Sequence, residues 1–208
     1  MNPSTEATEL VLGRHRYPNA LDDVRRYCGL AWSGGPPEVW AFEYYDRVRT
    51  DQGRIDRVDV LSAAALHPGL SRSDLTWFSE HAVKLDAWLE SFEPGCTLLD
   101  ASDEQLQQLD ELVALDGVSL TLLTKVLHRK RPNLVPLLDR HVVDRYRSVT
   151  GERRPFDAWK PLLRCLRGDL AQNQPQIRAI QAACSTEADG VLSDLRVIDI
   201  TIWMAVRS

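Results

Sequence analysis

The length, composition and charge of the chain are those of an ordinary globular protein. Its 208 residues are 44% hydrophobic and 26% charged, which suffices for a folded core and argues against extensive disorder. The formal net charge of −5 disfavours binding of nucleic acid through bulk electrostatics, although one basic face on an acidic protein would still be compatible with it. We therefore expect one domain over residues 1–208.

The lengths of the apolar runs and the spacing of the cysteines argue against membrane-spanning, secreted and metal-binding classes of protein. No apolar run approaches the ~20 residues of a membrane-spanning helix, and residues 1–10 lack the basic and apolar regions of a signal peptide. We therefore predict a cytoplasmic protein with no membrane partner. The four cysteines are far apart and form no Cys-x-x-Cys pair, so we expect buried thiols, no metal site and no cofactor.

The first third of the chain is predicted to contain short helices between loops. Residues 1–9 are typical of a flexible tail, and residues 22–32 fit a short helix. The sequence SGGPPE at 33–38 interrupts regular structure. Residues 39–48 contain four aromatics, consistent with a core-facing helix or a helix-to-strand bend, and the apolar spacing over 57–66 indicates a helix.

Local capping signals mark the next helices. Ser73 is predicted to cap a single helix that continues to Phe92. Ser102 and Gln105 form a capping box at the start of a further helix, which Asp116-Gly117 is expected to end.

The second half of the chain is also predicted to be helical. A helix over 119–130 is stopped by Arg131-Pro132, and another begins at Arg140 and ends near Val149. Three further helices are predicted, over 156–171, 175–184 and 191–208. Because no segment alternates as a strand would, we predict an all-α fold.

The junction at Gly117 has the pattern of a helix-hairpin-helix. Gly117 permits a left-handed backbone, and a second helix follows within three residues. The first-turn amides of that helix are free to bind an anion such as a backbone phosphate. A hairpin of this kind holds nucleic acid without reading its sequence.

The sequence LDGVSLTLLTKVL at 115–127 resembles the hairpin of the helix-hairpin-helix DNA glycosylases of base-excision repair. Their pattern runs Leu-Pro-Gly-Val-Gly, Lys-Thr-Ala and Val-Leu, and a Val-Asp-Thr-His-Val element with the catalytic aspartate follows it. Here LLDRHVV at 137–143 places Asp139 22 residues after Gly117. The resemblance is carried by residues 103–150, and it implies for the chain an all-α fold of two helical lobes around a cleft, with duplex DNA as the partner.

The same resemblance implies a catalytic role for Asp139. Its carboxylate would orient a water or stabilise an oxocarbenium-like sugar as the base departs, after that base has left the stack. The chain departs from the family pattern at Asp116 and Ser119, and Thr121 stands where bifunctional members carry a Schiff-base lysine. Lys125 lies one turn further along the same face. The resemblance therefore implies a monofunctional DNA glycosylase without lyase activity.

Residues 125–154 are basic although the chain as a whole is acidic. This asymmetry predicts a nucleic-acid face, whereas the alternative is a solvated helix end that interacts with the helix dipole. The candidate nucleic-acid-binding residues are Gly117, Ser119, Thr121, Lys125, Arg129, Lys130, Arg131 and Arg140.

Aromatic and histidine side chains are candidates for a base pocket. Trp40, Tyr44 and Tyr45 could stack on a flipped base, and His141 could reach it. The alternative for the aromatics is packing in the core, and for His141 it is a hydrogen bond inside the protein.

A second resemblance covers the whole chain. KVLHRKRPNLVPLLD at 125–139, FDAW at 156–159 and LRVIDITIWM at 195–204 are similar to an actinobacterial family with no assigned function. In the last of these segments, Arg196 and Asp199 are spaced as a buried ion pair on one helix, and the alternative for them is a catalytic role.

Two alternatives to the enzyme stay open. One is a non-catalytic nucleic-acid-binding module that retains the hairpin. The other is a helical interaction protein in which Asp139 only caps a helix, a role worth ~1 kcal/mol.

Overall fold

The computed structural model describes residues 8–38, 40, 42–66, 69–185 and 192–207, without the side chain of Phe42. These residues form a mostly helical fold, which confirms the predicted all-α class. The elements in chain order are β1 (Leu10–Leu12), β2 (His15–Tyr17), α1 (Ala20–Tyr27), α2 (Phe42–Tyr45), α3 (Arg57–Ala63), a 3-10 turn (Ala64–Leu66), α4 (Arg72–Glu80), α5 (Ala82–Glu90), α6 (Asp103–Val113), α7 (Leu120–Lys130), α8 (Arg140–Thr150), α9 (Pro155–Cys184) and α10 (Asp194–Ala205).

A two-stranded hairpin precedes the helices and was not predicted. β1 and β2 pair antiparallel, with Leu10 opposite Tyr17. Three-residue strands are too short to show an alternating pattern in the sequence. The amide of Val11 donates to Asn173 Oδ1 at 2.9 Å, and Asn173 Nδ2 donates to the Val11 carbonyl at 2.8 Å. The amide of Gly13 donates to Asp169 Oδ2 at 2.7 Å, so the hairpin is fastened to α9. Residues 1–7 of the expected tail lie outside the described residues.

The predicted long helix beginning at Ser73 is two helices, α4 and α5. The N-cap is Ser71, whose Oγ accepts from the Asp74 amide at 3.2 Å while Asp74 Oδ2 accepts from the Ser71 amide at 2.8 Å. This reciprocal capping box fixes the start two residues earlier than predicted. At His81 the backbone leaves helical geometry, and the ring Nδ1 lies 2.9 Å from the carbonyl of Trp77.

α9 is longer than predicted because it continues through both of its internal prolines. It covers 30 residues, including Pro161 and Pro175, where we expected two separate helices. A proline in a helix interior costs ~3 kcal/mol. The buried face of α9, which includes Trp159, Leu166 and Ile177, packs against neighbouring elements and outweighs that cost.

α10 lies at the centre of the helical packing, against α1, α8 and α9. Nine of its twelve residues are buried, and Ser193 caps it through the amide of Arg196. Val191 and Ser208, at the ends of the predicted last helix, lie outside the described residues. None of the helices in the described part of the chain combines the length and the apolar character needed to cross a membrane.

Candidate functional site

The hairpin turn between α6 and α7 is held by an aromatic ring from α4. Gly117 is exposed and has φ +96°, a backbone conformation that favours glycine. Trp77 Nε1 donates to the carbonyl of Asp116 at 2.7 Å, and a Cβ on Gly117 would lie 2.9 Å from Trp77 Cδ1. Ser119 caps α7 by accepting from the amide of Leu122 at 3.2 Å. The predicted turn is therefore present, and it depends on Trp77, which the local motif did not identify.

Lys125 points from α7 into the interior. Its side chain is buried, and Nζ donates to the carbonyl of Leu66, at the end of the 3-10 turn. Burial lowers its pKa, while the charges of Asp139 and Asp199 oppose the shift. Thr121, one turn earlier, is half-buried and does not line the cavity that Lys125 reaches.

Asp139 caps a helix and also lines a cavity. It is the N-cap of α8, with Oδ1 accepting from the amide of Val142 at 3.0 Å. The same residue lines a cavity with Lys125. Among the residues that the structure describes, Oδ2 has no hydrogen-bond partner, so one oxygen of a capping carboxylate is available to a ligand.

This cavity, which we call the Asp139 cavity, has a volume of about 560 Å³. Its wall combines carboxylates, cationic side chains, a histidine and aromatic surface. The polar lining residues are Lys125, Asp139, Arg140, His141, Arg196, Asp199 and Arg207, with Tyr27, Ala64, Ala65, Leu66, Leu137, Ile200 and Trp203 completing the wall. Polar groups that converge in a partly apolar pocket of this size are typical of small-molecule binding sites.

Arg196 and Asp199 form the ion pair that their spacing predicted, and both side chains are buried. Arg196 also donates to Asp46 through Nε at 2.7 Å and Nη2 at 2.8 Å, and to the hydroxyl of Tyr27. Burial raises the pKa of Asp199 to about 7, although the guanidinium of Arg196 opposes the shift. The sequence had not associated Asp199 with Asp139, because only the tertiary fold brings the two together.

Besides Lys125, three more of the predicted nucleic-acid-binding residues have side chains inside the protein. Arg129 donates to the carbonyl of Val48 at 2.8 Å, and Lys130 donates to the carbonyl of Asp51 at 2.6 Å and pairs with Asp59. Arg131 donates to backbone carbonyls at the end of α5. These groups hold the loop before α3 and the end of α5, so this placement revises the phosphate-contact assignment of Arg129, Lys130 and Arg131.

The predicted base-pocket residues are dispersed. Tyr45 is buried and its hydroxyl donates to the carbonyl of Lys125 at 2.7 Å, which makes it a core residue. Tyr44 is 66% exposed and does not line the Asp139 cavity. Trp40 packs edge-on against Trp203 of the cavity wall, with ring centroids 5.2 Å apart. Only His141 lines the Asp139 cavity itself.

The remaining candidate functional residues are Arg140 and the cysteines. Arg140 lines the cavity and extends to the surface, with its side chain 84% exposed. The cysteines are free thiols, of which Cys28 and Cys184 are buried and Cys96 and Cys165 are half-buried. Within the described ranges, no group of three or more metal-ligating side chains is assembled.

Comparison with curated proteins and with solved structures found no match. A family of unknown function, DUF6308, matches residues 20–206. That range includes all ten helices of the described part of the chain, the hairpin turn between α6 and α7, and the polar residues of the Asp139 cavity named above except Arg207. The chain therefore belongs to the DUF6308 family.

Proposed function

We propose that the protein binds duplex DNA and acts as a monofunctional DNA glycosylase, hydrolysing the N-glycosidic bond of a flipped base. The observation that carries the proposal is the position of Asp139. Its carboxylate lies with Lys125 in a cavity of about 560 Å³, and Lys125 belongs to the helix that begins at the hairpin turn. A phosphate-binding turn and a base-sized pocket are thereby connected through one helix.

The hairpin turn and the cavity rim supply the DNA contacts. Gly117 and Ser119 are exposed at the start of α7, where the first-turn amides can bind a phosphate. Arg140 extends from the rim to the solvent and can pair with a second phosphate. These contacts position the backbone without reading the sequence.

Hydrolysis uses the free oxygen of Asp139. With Oδ1 held by the Val142 amide, Oδ2 is oriented to accept a proton from water as the water oxygen attacks the sugar C1′. The negative charge of the carboxylate also stabilises the positive charge that develops on the sugar. Lys125 remains bound to the carbonyl of Leu66 and forms no covalent bond with the sugar, in keeping with a monofunctional reaction.

A non-catalytic DNA-binding module is the second candidate. It is favoured by the hydrogen bond from the Val142 amide to Asp139, because helix capping alone would account for an aspartate at this position.

A panel of duplexes carrying damaged bases, treated with alkali after incubation to reveal abasic sites, tests the proposal. Asp139→Asn is the informative variant because asparagine caps a helix as well as aspartate does. Asp144→Asn is the matched control, since Asp144 lies on the same helix, is exposed and does not line the cavity. We expect wild type and Asp144→Asn to release base, and Asp139→Asn to lose at least about 100-fold in rate.

The other outcomes are equally clear. If no variant releases base and all bind DNA alike with a strong dependence on salt, the protein is a binding module. If no salt-sensitive binding to DNA is found, both candidates fail and a helical interaction protein is left.

A further inference from the structure

Two carboxylates share the buried guanidinium of Arg196. Asp46 accepts two hydrogen bonds from it, at 2.7 Å to Oδ1 and 2.8 Å to Oδ2, whereas Asp199 accepts one, through Oδ2. One cation thus faces two carboxylates in the interior, where uncompensated charge is costly. Because the bidentate pair is the stronger arrangement, Arg196 holds both oxygens of Asp46 but only one oxygen of Asp199.

The two carboxylates face different cavities. Asp46 lines a separate cavity of about 310 Å³, and Asp199 lines the Asp139 cavity. Within the described part of the chain, Oδ1 of Asp199 has no hydrogen-bond partner. Arg196 therefore anchors one oxygen of Asp199, and the other is left to a ligand in the cavity that holds Asp139.

The charges around Asp199 come from five elements of the fold. Burial, and to a smaller extent the nearby carboxylates, raise its pKa against the opposing effect of the cations, and the net result is a pKa of about 7. A carboxyl group with this pKa is partly protonated at neutral pH. The charged and titratable groups that face it are Arg196 on α10, Lys125 on α7, Asp139 at the start of α8, Asp46 after α2, and the phenols of Tyr27 on α1 and Tyr45 on α2.

We infer that Asp199 is the general acid of the reaction, which donates a proton to the departing base while Asp139 acts on the water. This inference deepens the proposed function and rests on it. The site then contains two carboxyl groups with different roles: Asp199 donates a proton to the base, and Asp139 accepts one from water. Arg196 holds Asp199 in place.

The proposed step balances in atoms and electrons. The bond between C1′ and the base nitrogen breaks, its electron pair moves onto the base, and the base takes the proton from Oδ1 of Asp199. The water oxygen forms a new bond to C1′, and its proton goes to Oδ2 of Asp139. Exchange with solvent returns a proton to Asp199 and removes one from Asp139, leaving free base and a sugar hydroxyl.

The role of Asp199 predicts which bases depend on it. A neutral base leaves as an anion unless it is protonated, so its release requires the acid. A base alkylated on a ring nitrogen, such as N7-methylguanine, already carries a positive charge and leaves as a neutral molecule. Asp199 should therefore matter for the first class and not for the second.

Single-turnover release from duplexes carrying uracil, hypoxanthine or N7-methylguanine tests the inference with Asp199→Asn. We expect the variant to lose about 100-fold in rate on the neutral bases and less than about threefold on N7-methylguanine. The wild-type rate on neutral bases should fall as pH rises through about 7, as Asp199 loses its proton, and the variant should lack this decline.

Asp46→Asn is the matched control, because it removes a carboxylate from the same arginine but not from the Asp139 cavity. It should lower thermal stability and keep the discrimination between neutral and charged bases. Its pH decline should move to lower pH, since one neighbouring negative charge is gone and Arg196 then serves Asp199 alone.

Equal losses on both classes of base in Asp199→Asn would overturn the inference and leave a structural role, as would unchanged release of neutral bases. If Asp139→Asn still abolishes release in those experiments, the proposed function survives. Absence of release from every duplex by wild type overturns the proposed function and the inference together.

Discussion

The indole of Trp77 and the backbone of Gly117 are in direct contact at the hairpin turn. The Nε1 group of Trp77 donates to the carbonyl preceding Gly117, and its ring occupies the space where a side chain at position 117 would project. α4 thus provides the support on which the junction of α6 and α7 rests. The phosphate-binding geometry that we propose for this turn depends on that contact.

We expect Gly117→Ala to destabilise the protein by about 2–4 kcal/mol, because the new Cβ would meet Trp77 and the left-handed backbone is strained for alanine. Urea denaturation measures the change in the free energy of unfolding. Gly151→Ala is the control: its φ is +76°, but nothing lies within 4 Å of the added Cβ, so only the backbone cost of about 1 kcal/mol is expected. Equal losses at both positions would contradict the contact with Trp77.

Lys130→Met should cost about 3 kcal/mol, since it leaves the buried carboxylate of Asp59 with the guanidinium of Arg129, 3.3 Å away, as its remaining cationic partner. The measurement is again the free energy of unfolding in urea. Lys160→Met removes an ion pair of 3.0 Å with Asp110 in which the lysine is 65% exposed. This control should lose less than about 1 kcal/mol. A loss of similar size in Lys130→Met would show that the ammonium group of Lys130 is exposed to solvent rather than buried.

Acidification should destabilise the protein through His128. Burial lowers the pKa of this ring to about 4, and its Nδ1 lies 2.7 Å from the carbonyl of Val135. Between the ordinary histidine pKa of about 6.5 and this lowered value, the unfolded chain binds more protons than the folded one, so stability is lost as pH falls through that window.

Thermal denaturation between pH 7 and 4 measures this loss in wild type and in His128→Gln. The difference between the two proteins should narrow on acidification by up to about 3 kcal/mol, the equivalent of the lowered pKa. His15→Gln keeps His128 and should retain the wild-type decline. A parallel pH dependence in wild type and His128→Gln would refute the assignment.

Local signals in the sequence predicted much of the fold, whereas the interior of the site depended on distant contacts. Capping at Ser102 and at Asp139 was predicted correctly, because the partner amides lie three residues away. The basic run at 129–131 was assigned to the surface because its partners outside the run are 39 or more residues distant, on the loop before α3 and at the end of α5. A charged residue with remote backbone partners has the same local pattern as an exposed one.

The residues of the candidate site also differ in how far the local sequence predicts their positions. Asp139 was found from its motif, and its capping bond is local. Asp199 was predicted as a partner of Arg196, three residues away, but its position in the Asp139 cavity results from the packing of α10 against α8. Helical periodicity places both on buried faces and does not say which buried faces meet.

The attachment of the N-terminal hairpin to α9 has a consequence for synthesis. Val11 and Asn173 are 162 residues apart, so β1 is held by a side chain that is synthesised 162 residues after it. Before α9 is synthesised, the hairpin cannot bind it. The side chains of Leu10 and Leu12, which are fully buried in the folded protein, then lack the packing that α9 provides. The hairpin therefore stays unanchored until α9 has been synthesised, and truncation before Asn173 would remove its hydrogen bonds to that side chain.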